Sequence, residues 1–217
     1  MPLKPRSMEY LDEMIERYPT LSVVREQMVR ATEIMCDSYK ADGKVMVCGN
    51  GGSASDSEHI VGELMKGFVL RRELPEADVK RIKDAGYEDW ESLSQNLQRG
   101  IQGIALTGHP SLSTAVLNDN DPFMVFAQQV YVYGRTNDVL IGLSTSGNAR
   151  NVCNALKIAR AFGVTTIGMT GSRPSKMDDL CDVMIKVPET QTFKVQELHL
   201  PVYHVLCLMV EEEIFGG

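Results

Sequence analysis

The chain has 217 residues, 43% of them hydrophobic and 24% charged, values that exclude a disordered or fibrous protein. Lys and Arg total 22 against 29 Asp and Glu, a net charge of −7 with no dense basic cluster. That balance argues against a broad nucleic-acid or anionic-membrane surface while leaving room for a small local phosphate site.

As one domain, a chain of this length buries roughly 70% of its unfolded surface and needs no disulfide staples. Cys36, Cys48, Cys153, Cys181 and Cys207 are scattered, odd in number and without a CxxC pair, which reads as reduced, mostly buried thiols of a cytoplasmic protein. No stretch approaches the roughly 20 apolar residues that cross a bilayer. The opening Met1-Pro2-Leu3-Lys4-Pro5-Arg6 runs straight into polar, helix-like sequence, unlike a signal peptide.

Residues 8 to 41 have helical periodicity broken at Pro19, with Thr20 placed to cap the second helix. Leu21, Val24, Met28, Ala31 and Met35 form a narrow seam at spacings of three and four. Such a seam packs either on the chain's own core or on another subunit. After Asp42-Gly43 comes a short apolar strand, Lys44–Cys48, then the loop Gly49-Asn50-Gly51-Gly52-Ser53 and a helix from about Ser55 to Leu70. Residues 75 to 100 are polar, contain the only tryptophan, Trp90, and read as one or two amphipathic helices inserted into a single domain.

Strand-like runs recur at Gly103–Thr107, Val139–Leu143, Val164–Met169 and Val183–Val187. The third of the five strands leads into Ser144-Thr145-Ser146-Gly147-Asn148 and a helix ending near Phe162, and a last helix covers about Lys194 to Phe215. Five apolar strands alternating with helices predict an α/β fold, a doubly wound five-stranded parallel sheet of flavodoxin-like order. The whole of residues 1 to 217 reads as one domain, with N-terminal helices over 1–42 and the helical insertion over 75–100.

Ligands bind at the C-terminal ends of strands in open parallel sheets, where the two Gly- and hydroxyl-rich loops fall. Backbone N–H groups at a helix start, with hydroxyls beside them, suit a phosphate. Neither loop is a GxxxxGK[ST] loop and no GxGxxG is present, so nucleotide readings are weak. Taken singly, each loop is equally readable as a tight turn with a cap.

His59 and Glu63 stand four apart on one helical face, the spacing of a surface pair or of two groups aimed at one ligand. His199 and His204 lie in an otherwise apolar final helix, where one histidine is ordinarily a core residue with a satisfied ring. Gln196 and His204 are eight residues apart, roughly 12 Å along a continuous helix. One metal ion cannot take both from a straight helix. Either the helix starts after Gln196 or the two act in different subunits.

Together, Cys48-Gly49-Asn50-Gly51-Gly52-Ser53, His59 with Glu63, Asn118-Asp119, Ser144-Thr145-Ser146-Gly147-Asn148, and Gln196-Glu197-Leu198-His199 with His204 resemble the sugar isomerase (SIS) domain, and most closely the phosphoheptose isomerases. The resemblance spans nearly the whole chain except the insertion. It implies interconversion of sedoheptulose 7-phosphate and D-glycero-D-manno-heptose 7-phosphate through an enediol, in a homotetramer whose active sites lie at subunit contacts. By that resemblance Asn50, Gly51, Gly52, Ser53, Asn118, Asp119, Ser144, Thr145, Ser146, Asn148 and Gln196 bind the sugar phosphate. His59, Glu63, Gln196 and His204 match the family's Zn2+ ligands, and Glu63 and His204 its acid–base pair.

Three departures from the family stand out. Ala149 occupies the place of a common serine after the second loop. Lys66-Gly67-Phe68 replaces the usual Gly-Arg-aromatic run, with Lys66 or Arg71 as substitute cation, and Thr192-Phe193-Lys194 stands where polar residues are common. Two alternatives remain open: isomerisation of another sugar phosphate, and a non-enzymatic SIS adaptor that binds the replication initiator.

Overall fold

The computed structural model describes residues 2–217. Strands β1 (Val45–Cys48), β2 (Gly103–Ala105), β3 (Val139–Leu143), β4 (Thr165–Thr170) and β5 (Val183–Lys186) form one all-parallel sheet in the order β2-β1-β3-β4-β5. This is the predicted flavodoxin-like winding. The helices are α1 (Pro5–Arg17), α2 (Arg25–Lys40), α3 (Gly52–Met65), α4 (Glu76–Asp84), α5 (Trp90–Asn96), α6 (Pro110–Asp119), α7 (Val125–Tyr133), α8 (Arg150–Ala161) and α9 (Thr192–Phe215).

Alternation along the strands divides the core in two. Val45 and Val47 of β1, with Val139 and Ile141 of β3, face α1, α2, α3 and α9. Met46, Cys48 and Leu140 face α7 and α8. Both faces are covered, which is why the strands read as unbroken apolar runs. The Leu21–Met35 seam is buried in this chain's own core, against α9 and β5, so it is not available as a subunit contact.

Local boundaries depart from expectation for identifiable reasons. Thr20 does not cap a helix: Pro19–Val24 is a 3-10 turn with no side-chain cap, and α2 begins only at Arg25. The helix predicted to reach Leu70 ends at Met65, because residues 66 to 72 are pulled out as a bent, non-helical strap (below). The insertion forms α4 and α5, which pack on each other and bury no side chain. Between β2 and β3 lie α6 and α7, where the sequence reading placed no element. α7 is rich in valine and aromatics, yet it folds as a helix packed on α8. Helix α9 runs unbroken through Pro201, which forfeits one backbone bond.

Candidate active site

The sheet changes winding direction between β1 and β3, which are neighbours although β2 intervenes in sequence. A crevice opens at such a switch point, and ligands bind there. The two Gly-rich loops follow those two strands and lead into α3 and α8, which lie on opposite faces. Asn50 and Asn151 exchange two amide hydrogen bonds of 2.9 and 2.8 Å, tying the first loop to the start of α8. Neither α3 nor α8 has a side-chain cap, and neither carries an acidic residue in its first turn. Ser53 and Ala54 N–H donate to loop carbonyls and Val152 N–H to Asn151 Oδ1, and the positive ends of both helices flank the crevice, a setting that favours an anion.

Each loop has a glycine that its shape requires. Gly51 and Gly147 adopt φ of 58° and 64°, the left-handed region. At Gly147 a Cβ would also collide with Ser175. The second loop is held from behind: Asn148 Oδ1 accepts from the Lys176 N–H, the Gly147 carbonyl from Met177, and the Thr145 carbonyl from Gly171. Ser53 and Ser144 are buried, whereas Asn50, Ser146 and Asn148 are exposed at the crevice. Ala149 is the N-cap residue of α8 and offers no hydroxyl, and the Val152 N–H donates to Asn151 Oδ1 instead.

Helices α3 and α9 run side by side in the same direction, from Gln196 at Gly52 to Glu211 at the strap. Gln196 lies against Gly52, where a Cβ would overlap its amide. Further along, His59, Glu63 and His204 come together. His59 Nε2 is 3.3 Å from Glu63 Oε1, and the His59 and His204 rings stack edge to face at 4.9 Å. Glu63 sits in the last turn of α3, with its side chain only 11% exposed. This is therefore not a plain surface pair. Burial, with His59 nearby, lowers the His204 pKa, while Glu63 opposes the shift.

Lys66 Nζ reaches Glu63 Oε2 at 2.7 Å, whereas Arg71 pairs in solvent with Glu73. Of the two candidate replacement cations, Lys66 is the one at the site. Arg72, unnoticed in the sequence, is almost fully buried. It pairs with Glu211 at 2.8 Å and donates to the carbonyls of Leu64 and Glu63. Glu211 also accepts from the N–H groups of Phe68, Val69 and Leu70, which is what draws the strap off the end of α3.

Gln196 does not join His59, Glu63 and His204 within one chain. The continuous helix keeps it roughly 12 Å from His204, at the loop end of α3. Asn118 and Asp119 lie exposed at the end of α6, bonded to each other and to neither loop. His199 is fully buried by contrast, and its ring nitrogens lack a well-formed partner, so the expected satisfied core histidine is half right. Burial drives its pKa down to about 4, against a weak pull from the Thr170 backbone.

Two observations bear on a metal. Among the described residues, no three His, Cys, Asp or Glu side chains enclose a site that could hold an ion. His204 Nε2 is nonetheless buried without a hydrogen-bond partner, beside a second imidazole and a carboxylate. Imidazole and carboxylate are zinc donors, and an orphaned ring nitrogen is an acceptor that a metal would satisfy. The donor types fit zinc, although His59, Glu63 and His204 do not by themselves enclose an ion site.

A doubly wound sheet with an anion-suited crevice and a carboxylate–imidazole cluster defines a sugar-phosphate-handling α/β enzyme of the SIS type. SIS domain models match residues 9–98 and 126–209. A phosphoheptose isomerase of Rhodospirillum rubrum is 40% identical over 187 residues, 86% of each chain. The solved phosphoheptose isomerase of Neisseria gonorrhoeae superimposes with a TM-score of 0.73 at 30% identity, covering 95% of this chain and 97% of that one. The one from Francisella tularensis gives 0.74 at 25% identity, covering 94% and 95%. The chain belongs to the phosphoheptose isomerase family of SIS-domain proteins, and is an isomerase enzyme.

Proposed function

We propose that the enzyme interconverts sedoheptulose 7-phosphate and D-glycero-D-manno-heptose 7-phosphate by acid–base chemistry between neighbouring carbons. The observation that carries this reading is the meeting of His59 and Glu63, on the helix that starts at the anion-suited crevice, with His204 of α9. Ser53 and Glu63 are ten residues apart on α3, roughly 15 Å by helical rise. The Glu63 side chain leans back toward the helix start and shortens that gap. Such a span suits a long, extended sugar phosphate better than a short one.

Asn50, Gly51, Gly52, Ser53, Ser144, Thr145, Ser146 and Asn148 hold the phosphate end, and the Gln196 amide at Gly52 serves the same end within its own chain. Asn118 and Asp119, at the end of α6, are assigned to the substrate by the family resemblance. Glu63 removes the proton from the carbon beside the carbonyl, and the proton returns to the adjacent carbon after the enediol has formed. His204, kept neutral near pH 7 by its burial, exchanges the hydroxyl proton. Lys66 Nζ, 2.7 Å from Glu63 Oε2, holds that carboxylate in place beside the substrate.

His59, Glu63 and His204 would hold a zinc ion, with Gln196 joining only across a subunit contact. Such an ion would supply Lewis-acid stabilisation of charge at the substrate oxygens. The same requirement favours an oligomer with active sites at its subunit contacts, and the family resemblance makes that a cytoplasmic homotetramer. Incubation with sedoheptulose 7-phosphate and zinc in D2O, followed by NMR, tests the proposal. Aldose product and deuterium at the substrate carbon are expected. The absence of both would refute it, and a panel of five-, six- and seven-carbon phosphates would identify another substrate.

A further inference from the structure

Tyr203 comes from α9, is 1% exposed, and sends its hydroxyl between two residues of α3. The phenol oxygen is 3.0 Å from His59 Nδ1 and 3.3 Å from Asp56 Oδ1. We propose that Asp56 and Tyr203 are positioning residues that fix the tautomer and ring plane of His59, turning the Nε2 lone pair toward Glu63. The proposal rests on the reading of His59 as a site residue.

The polarity of the chain follows from donor counting. Burial raises the Asp56 pKa while the Tyr203 hydrogen bond and nearby His59 oppose the shift; as an ionised carboxylate Asp56 only accepts, and the phenol proton is then committed to it. The phenol oxygen then accepts, and the proton it accepts must be the one on His59 Nδ1. Nε2 is left without a proton, 3.3 Å from Glu63 Oε1. Two facing acceptors repel unless a proton or cation is shared between them, the condition that the proposed zinc would meet. Asp56 Oδ2 is buried with no partner, which leaves the phenol as its side-chain support. Edge-to-face contacts with Tyr203 at 5.5 Å and His204 at 4.9 Å hold the ring plane. An oriented second hydrogen bond of this kind is how proteins set the free nitrogen of a ligating imidazole.

Long-range 1H–15N imidazole spectra of the metal-free, 15N-labelled protein test this, with His59 signals assigned through His59→Gln. The wild type should show His59 as the Nδ1–H tautomer. Asp56→Asn supplies a donor to the phenol and reverses the chain, so His59 should switch to Nε2–H. Tyr203→Phe cuts the chain and should give a mixture. In the zinc-loaded enzyme both variants should lose about ten- to hundred-fold in kcat with KM little changed. A wild-type Nε2–H tautomer, or one tautomer common to all three proteins, would overturn the proposal. Should Asp56→Asn not fold, Tyr203→Phe, which keeps the ring, decides alone. If no isomerisation is detected, the assignment of function fails while the tautomer pattern still tests the relay.

Discussion

Glu63 shows how much chemistry one position concentrates. His59 touches one carboxylate oxygen, Lys66 the other, and Arg72 the residue's own carbonyl. Glu63→Gln keeps the shape and removes the base, so kcat should fall by at least 10²- to 10⁴-fold while sugar-phosphate binding persists. Single-turnover kinetics beside a binding isotherm would separate the two. His199 carries a different prediction. Its pKa is about 4 in the folded chain against about 6.5 unfolded, so below pH 6.5 the unfolded state binds the extra proton. Stability is therefore full above pH 6.5 and declines as pH falls toward 4, by about 3 kcal/mol in all from this group. Urea unfolding from pH 7 to 4 should show that slope, and His199→Leu should remove its share. The sequence had already drawn attention to His59, Glu63 and His204 through spacing and an apolar context. Asp56, Tyr203 and Asn151 gave no such signal, because an Asp in a helix or a Tyr in an apolar run becomes informative only when its partner is known.

At the scale of elements, two helix starts facing one crevice make a testable unit. Ser146 is exposed there, and its hydroxyl accepts from the Asn148 N–H at 3.2 Å. Ser146→Ala should raise KM roughly ten-fold or more, the cost of one hydrogen bond to a charged group, with kcat little changed. A variant altered only in thermal stability would make the loop a mere turn. Gly52→Ala presses on the flexible end of Gln196, not on backbone, so the fold should survive with little change in melting temperature. Sugar-phosphate affinity should nevertheless drop, since the amide is displaced from the loop. Calorimetry and ligand titration on one sample would show both effects.

Strands β1 and β3 were legible because each is an apolar run buried on both faces. Helix α7 was not, since Val125-Phe126 and Val130-Tyr131-Val132-Tyr133 carry strand propensity that packing on α8 overrides. The end of α3 was misjudged for a similar reason: the group that captures its last turn, Glu211, lies some 140 residues away.

For the whole molecule, the decisive tie is the Arg72–Glu211 pair, 1% and 0% exposed. Arg72→Met leaves a buried carboxylate without its cation, so it should cost about 3–5 kcal/mol in unfolding free energy. Arg72→Met with Glu211→Gln should recover part of that, though not all, because Glu211 also gathers three strap N–H groups. Equilibrium denaturation of the single and double variants gives the comparison. The sequence showed a final apolar helix but not its reach: α1, α2 and α3 all pack against α9.

That reach has a consequence for biosynthesis. The first 70 or so residues leave the ribosome well over a hundred residues ahead of the helix that must cover them. Leu11, Met28, Leu64 and their neighbours on α1, α2 and α3 therefore lack the helix they pack against throughout translation of everything up to Thr192. Nascent chains stalled before that point should be held by chaperones and cut readily by protease, and resistance should appear abruptly once α9 has emerged.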